Sequence, residues 1–348
     1  MTNTQPDTVQ ANEFLQRGEK GLVIDVRSPG EYATGHVPNA VNIPLFDDEE
    51  RKKVGICYKQ EGRQPAILLG LQLIGHKMAG FIRQVQKYNP TEPVGVYCWR
   101  GGMRSASFAW LLSTYGVEIY LLNKGYKAYR AHMLSAFTKA SELIILSGQT
   151  GSGKTDILKA LREQGEQVLD LEGVACHKGS VFGAIGEQAQ PTTEQFQNNL
   201  HHQISTFNLN KRIWLEDENI VIGQVVLPEP LWQNMAKSPR VRVSLSKSHR
   251  IKRLVNEYTG HETGLLQEAA GKLEKRLGNK DLNVVLKAIE QNNFGEAADI
   301  LLGYYDKAYD NSYLHKKHLS LGEVILEDDQ PSITATRIIK LVEERTYV

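Results

Sequence analysis

Two short segments carry residue types at spacings that can do chemistry. In the first, Val94-Gly95-Val96-Tyr97 runs straight into Cys98-Trp99-Arg100-Gly101-Gly102-Met103-Arg104-Ser105. A cysteine at the end of a buried strand, followed by a glycine-bearing loop and a helix, meets converging backbone N–H groups and the partial positive charge of the helix start. Both favour an anion. Arg100 and Arg104 act in the same direction, so the segment predicts a nucleophilic Cys98 thiolate beside an oxyanion pocket. Most free cysteines are small buried hydrophobes, and Cys57 and Cys176, which lack such a loop, are read that way. The second segment, Gly148-Gln149-Thr150-Gly151-Ser152-Gly153-Lys154-Thr155, is a full G-x-x-x-x-G-K-[ST] match. It lies between the apolar run Leu143-Ile144-Ile145-Leu146 and a helical stretch at 156–163, which is the context a phosphate loop requires. Gly148, Gly151, Ser152 and Gly153 then supply the cradle for phosphate oxygens, Lys154 bridges the terminal phosphates, and the Thr155 hydroxyl can hold a magnesium ion.

Weaker signals surround these two. The stretch 237–253 holds seven basic residues and no acid. Of these, Arg240, Arg242, Lys247, Arg250, Lys252 and Arg253 are candidates to track an RNA backbone, against the bland alternative of a solvated helix face. Ile213-Trp214-Leu215-Glu216-Asp217-Glu218 is an apolar strand ending in carboxylates, a position that suits either a metal-holding acid or an ordinary strand-end cap. His201-His202 and the segment 178–183 are individually uninformative, since adjacent helix residues do not face each other. Three cysteines without CxxC spacing, and Cys176-His177 without a partner pair, predict neither a disulfide framework nor a bound structural metal.

The elements that must position these loops fall into two α/β blocks. The 348 residues are enough for about two domains, and 41% hydrophobic with 23% charged residues is an ordinary globular balance. Forty-one basic against 40 acidic residues leave a net charge of +1, so any nucleic-acid site must be a local patch. No uninterrupted run of about 18 apolar residues occurs, and the first ten residues lack the pattern of a signal peptide, so a cytoplasmic protein without a membrane partner is expected. Strand-like runs at 22–26 and 94–97, with helical stretches at 68–88 and 105–115, predict a parallel sheet over 1–135. Further apolar runs at 143–146, 168–170, 213–215 and 241–243 predict a second parallel α/β domain over 136–260, with 124–141 as the connection. Helical spacing of Ile251, Leu254, Val255 and Tyr258, repeated at Leu282, Val285, Leu286 and Ile289, predicts a mainly helical region at 261–348.

The cysteine loop, together with Leu22-Val23-Ile24-Asp25-Val26-Arg27-Ser28-Pro29-Gly30-Glu31-Tyr32 and Gly35-His36-Val37-Pro38-Asn39-Ala40-Val41-Asn42-Ile43-Pro44, resembles the rhodanese family. That resemblance implies a cysteine able to carry sulfur or selenium as a persulfide or perselenide. The Cys-x5-Arg spacing from Cys98 to Arg104 is more typical of cysteine phosphatases, although Tyr97 stands where those usually have histidine. With the phosphate loop, and with His177-Lys178-Gly179-Ser180 and Trp214-Leu215-Glu216, the whole chain resembles the bacterial tRNA 2-selenouridine synthase family. A rhodanese-like domain followed by a P-loop NTPase-like domain with a helical C-terminal region is the fold this implies. The implied activity is conversion of wobble 2-thiouridine to 2-selenouridine by S-geranylation from geranyl diphosphate and then selenium substitution from selenophosphate, without a tightly bound cofactor. The implied partners are the tRNAs for lysine, glutamate and glutamine, and selenophosphate synthetase. Two rivals stand beside it: a cysteine phosphatase or sulfurtransferase coupled to a nucleotide-binding domain, and a non-catalytic docking module with a nucleotide switch.

Overall fold

The computed structural model describes residues 6–138 and 142–346. The chain divides into two compact units, Met1–Ala136 and Phe137–Val348. The strands, in chain order, are β1 (Asp7–Val9), β2 (Val23–Asp25), β3 (Val41–Asn42), β4 (Val94–Tyr97) and β5 (Ile119–Leu122) in the first unit. The second has β6 (Leu143–Gly148), β7 (Gln167–Val168), β8 (Ile213–Glu216), β9 (Val221–Ile222), β10 (Val225–Val226), β11 (Arg240–Leu245) and β12 (Ser320–Leu326).

The first unit is a parallel sheet of order β1-β5-β4-β2-β3. Every residue of β2 and β4 is buried, as a strand covered on both faces requires. Ile24, Val94, Val96, Phe81, Val85, Phe108 and Leu112 form the core that holds the sheet to its helices. From β2 the chain turns outward to β3 and returns on the other side to β4, so the C-terminal ends of β2 and β4 flank the point where the connections change direction. Open α/β sheets bind ligands there, and Cys98 immediately follows β4. The short strands β1 and β3 have too few residues to show an alternating pattern, and the sequence does not reveal them.

Two expectations for this unit are corrected. Residues 124–138 are not a connection: the helix Gly125–Ala136 buries Tyr126, Tyr129 and Met133 in the unit. By length and a mean hydropathy of 1.3, the 24-residue stretch Arg63–Gln86 is long and apolar enough to cross a membrane, although no uninterrupted apolar run announces it. A 3-10 turn at Gly75–Lys77 breaks the stretch, and Phe81 and Val85 beyond it are buried in the core.

The second unit is a parallel sheet of order β12-β11-β6-β8-β7, with a separate antiparallel pair β10-β9. The chain leaves β6 toward β8 and β7 and later crosses to its other side for β11, so the loop after β6 also lies at a change of direction. The region after residue 261 is not helical throughout. β12 pairs in parallel with β11, and Val324, Leu326, Ala335, Ile338 and Val342 enter the core of the sheet. Between them, the helices Thr263–Gly271, Asn279–Glu290 and Phe294–Lys316 pack around a second core that includes Leu266, Ala270, Val285 and Ile289. The spacing of Leu282, Val285 and Ile289 did mark a buried helix face.

Candidate functional site

The Cys98 loop is shaped by backbone contacts from the start of the helix Gly125–Ala136. Tyr126 N–H donates to the Cys98 carbonyl at 2.9 Å and Lys127 N–H to that of Trp99 at 3.1 Å. A Cβ on Gly125 would stand 2.2 Å from the Cys98 carbonyl oxygen and 2.4 Å from the Gly101 nitrogen, so only glycine allows this approach. Cys98 is only 3% exposed, at the base of the loop, while Trp99, Arg100, Gly101 and Gly102 form an exposed rim. The Cys98 Sγ lies 3.2 Å from Ser105 Oγ, and Ser105 Oγ is also 3.1 Å from the Gly102 carbonyl it can donate to. A hydroxyl has one proton, so Ser105 can bond Gly102 while the thiol donates to it, or turn that proton onto a thiolate.

Arg104 is committed elsewhere. Its guanidinium donates to Glu31 at 2.6 Å, and Glu31 also accepts from Arg51 at 3.2 Å. Burial works to raise the Glu31 carboxyl, but the bond and charge of Arg104 outweigh it and hold Glu31 below its ordinary value. Glu31 therefore fixes where Arg104 can reach, a link the sequence does not show because 73 residues separate the two. Arg27 supports the neighbouring strand end. It is fully buried, paired with Asp25 at 2.6 Å, and its guanidinium carbon lies 3.9 Å from the centre of the Tyr126 ring.

In the second unit the phosphate loop joins β6 to the helix Lys154–Glu163. Gly153 caps that helix with φ 82°, a left-handed conformation that glycine adopts freely. Lys154 Nζ donates to the Gly148 carbonyl at 2.9 Å, across the mouth of the loop. Gly148 lies under Ser152, where an added Cβ would be 2.6 Å from Ser152 Oγ. That hydroxyl is buried and bonds no described group. Thr155 Oγ1 donates to Glu172 at 3.2 Å, and Glu218 bonds Glu172 in turn, so a carboxyl pair stands beside the threonine. Burial pushes the Glu218 carboxyl up, the charge of Glu172 adds to this, and Lys154 opposes it. The strand-end acids thus divide: Glu216 is buried and accepts from Leu171 N–H at 3.0 Å, Asp217 pairs with Arg240 and Lys316, and Glu218 faces the loop.

Comparison with known proteins was made against this geometry. The profile of the tRNA 2-selenouridine synthase AAA domain matches residues 141–336, and that of the rhodanese-like domain matches residues 10–132. A tRNA 2-selenouridine synthase of Psychromonas ingrahamii is 36% identical over 83% of this chain and 87% of its own. One of Cupriavidus pinatubonensis is 33% identical over 90% of this chain and 93% of its own. The chain belongs to the tRNA 2-selenouridine synthase family.

Within this family member, the basic stretch is not the open patch that its composition suggests. Arg240 is 1% exposed and pairs with Asp217 at 2.9 Å. Arg250 is 3% exposed and donates to Asp306 at 2.8 Å and to the Thr150 carbonyl at 3.2 Å, tying the helix Lys247–Tyr258 to the phosphate loop. Arg242 pairs with Asp310 at 3.1 Å, and its guanidinium carbon lies 4.4 Å from the centre of the Tyr313 ring; Arg253 pairs with Asp156 and Asp329. Lys247 is exposed but pairs with Asp299 at 2.6 Å, which leaves Lys252 as the exposed member of the six without an ion pair among the described residues. The acids that neutralise the stretch lie far away in sequence, so a count of local charge misses them. Replacing Arg250 with Met is expected to cost about 3 kcal/mol of unfolding free energy in urea titration, because Asp306 loses its partner. Lys247→Glu with Lys252→Glu should leave stability unchanged and lower the slope of log K against log salt for tRNA by about 1 per lost phosphate contact.

The Glu172–Glu218 pair carries a signed pH prediction. The Glu218 carboxyl moves from 4.5 to about 8 on folding. Between those values the folded chain keeps a proton that the unfolded chain has released, so stability falls as pH rises through that window. Urea midpoints measured across it should decline in the parent protein and decline less in Glu218→Gln; parallel curves would show that Glu218 does not hold the proton.

Proposed function

We propose that this protein converts 2-thiouridine at the wobble position of tRNA to 2-selenouridine in two steps, geranylation of sulfur followed by its replacement with selenium. The observation that carries this reading is the presence, in one member of this family, of a cysteine set in an anion-binding loop and a complete phosphate loop. A thione sulfur leaves C2 poorly, whereas an alkylated sulfur leaves as a thiolate, so alkylation prepares the exchange. In the first step the C2 sulfur attacks the first carbon of geranyl diphosphate and the carbon–oxygen bond breaks. Backbone N–H groups at 148–155 and Lys154 stabilise the departing diphosphate. A magnesium ion would fit beside Thr155 and Glu172, with diphosphate oxygens and waters completing its shell, and would neutralise charge on the leaving group.

The second step is constrained by electron balance. Selenium in selenophosphate is already at the level of selenide, so a perselenide on Cys98 would need an oxidant, whereas direct attack of selenium on C2 needs none. The carbon–selenium bond forms, geranyl thiolate leaves and takes up a proton, and the nucleoside keeps a selenium-bound phosphoryl group. Attack of the Cys98 sulfur on phosphorus then breaks the phosphorus–selenium bond and frees 2-selenouridine; water hydrolyses the S-phosphocysteine to phosphate. The 98–105 loop cradles the phosphoryl oxygens, Arg100 on the rim adds charge, Arg104 is positioned by Glu31, and the Ser105 hydroxyl can donate to the sulfur as it leaves. On this reading the protein is a cytoplasmic enzyme that meets tRNA and draws its donor from selenophosphate synthetase.

The decisive experiment is nucleoside mass spectrometry of 2-thiouridine tRNA incubated with the protein, geranyl diphosphate and selenophosphate, each omitted in turn. S-geranyl-2-thiouridine with the diphosphate alone, and 2-selenouridine with both, support the two-step reading. An unchanged nucleoside in every mixture overturns it.

A further inference from the structure

The phosphate-loop unit contains a cavity that the phosphate chemistry does not account for. It measures about 580 Å³ and is walled by the helices Lys247–Tyr258, Thr263–Gly271, Asn279–Glu290 and Phe294–Lys316. Its lining includes Leu254, Leu266, Ile289, Ala298, Leu301 and Leu302, all aliphatic. Protein interiors are packed without voids of this size, and an apolar cleft of several hundred Å³ is the usual form of a small-molecule site.

The cavity is joined to the phosphate loop through shared residues. Thr150, the third residue of the loop, is part of its wall, and the Thr150 carbonyl is held by Arg250 at 3.2 Å. One turn further along the same helix, Leu254 faces both sides: it lines the cavity, and its Cγ would lie 3.3 Å from a Cβ placed on Gly151. A molecule with its diphosphate in the loop therefore has an apolar chamber directly beside it. The hydroxyls of Thr150, Ser180, Tyr258 and Tyr305 are the only side-chain polar groups among the lining residues, too few and of the wrong kind to read the edge of a nucleobase.

We propose that this cavity seats the hydrocarbon chain of an allylic diphosphate, with Leu254 as the partition between chain and diphosphate, and that its depth sets the chain length accepted. This inference rests on the proposed geranyl transfer and adds the place where the donor is recognised. Ala298 and Leu301 are the positions to alter, because both line the chamber and neither belongs to the phosphate loop. Titration calorimetry of the full chain with pyrophosphate, geranyl diphosphate, farnesyl diphosphate and ADP tests it. Geranyl diphosphate should bind at least tenfold more tightly than pyrophosphate. Ala298→Phe should abolish that gain while pyrophosphate binding, which also reports a folded loop, stays as in the parent protein. Leu301→Ala should shift the preference from geranyl toward farnesyl diphosphate, a gain that misfolding cannot imitate.

Retention of the full geranyl advantage in Ala298→Phe would overturn the proposal, as would the absence of any advantage in the parent protein. ADP binding more tightly than geranyl diphosphate and lost on filling the chamber would also overturn it, in favour of a nucleotide. The reading of function fails separately: a chain-dependent, filling-sensitive affinity without any S-geranyl nucleoside from tRNA would leave the chamber assigned and remove the transfer.

Discussion

Cys98→Ser is expected to lower the rate of 2-selenouridine formation by roughly 10³-fold or more while S-geranylation continues at the parental rate. The two loops belong to different compact units, so the sulfur nucleophile can be removed without touching the diphosphate cradle. The substitution also conserves shape at a residue that is only 3% exposed and within 3.2 Å of Ser105, so folding should survive it. Mass spectrometry should show a nucleoside heavier by one phosphoryl group accumulating in place of 2-selenouridine. Full selenation by the variant would remove Cys98 from the chemistry. Loss of selenation with accumulation of S-geranyl-2-thiouridine alone would move its role from breaking the phosphorus–selenium bond to delivering selenium.

Lys154→Ala is expected to show the opposite division. Nζ of Lys154 spans the loop to the Gly148 carbonyl, and no other basic side chain of the described residues bonds that carbonyl. Removing one preorganised charge from a leaving-group site costs about 10²–10³-fold in rate. Geranyl transfer should therefore fall by that factor, with weaker binding of pyrophosphate, while synthetic S-geranyl-2-thiouridine tRNA is still converted by selenophosphate. Pyrophosphate affinity equal to that of the parent protein would show that the loop is not where the diphosphate sits. The same substitution should raise the Glu218 carboxyl further, since the Lys154 charge is what opposes its burial.

The corrections share one physical origin. Arg240 and Arg250 look like RNA ligands in a chain segment without acids, and are buried because Asp217 and Asp306 reach them from β8's end and from a helix over 50 residues away. Arg104 looks like a partner for Cys98 and is held by Glu31 from the other sequence motif of its unit. Residues 125–136 look like a connection because Tyr126, Tyr129 and Met133 are spread among basic and polar residues, yet their apolar groups all point inward. In each case the deciding partner is distant in sequence, and ion pairs and packing depend on distance in space.

Local chemistry, by contrast, was legible in the chain itself. A phosphate loop is built from successive backbone groups of one segment, so its residues must be contiguous, and 148–155 spells out its site. The cysteine loop is equally local, because its cradle is a strand end, a glycine turn and a helix start in immediate succession. Parallel sheets bury both faces of their strands, so β4, β6 and β8 announce themselves as apolar runs. The tertiary structure decided which charges remain available, that Glu172 and Glu218 meet beside Thr155, and that four helices enclose an apolar chamber next to Thr150. Those features are made by surfaces facing each other across folded chain, and a linear pattern records which residues are apolar or charged but not which of them will face one another.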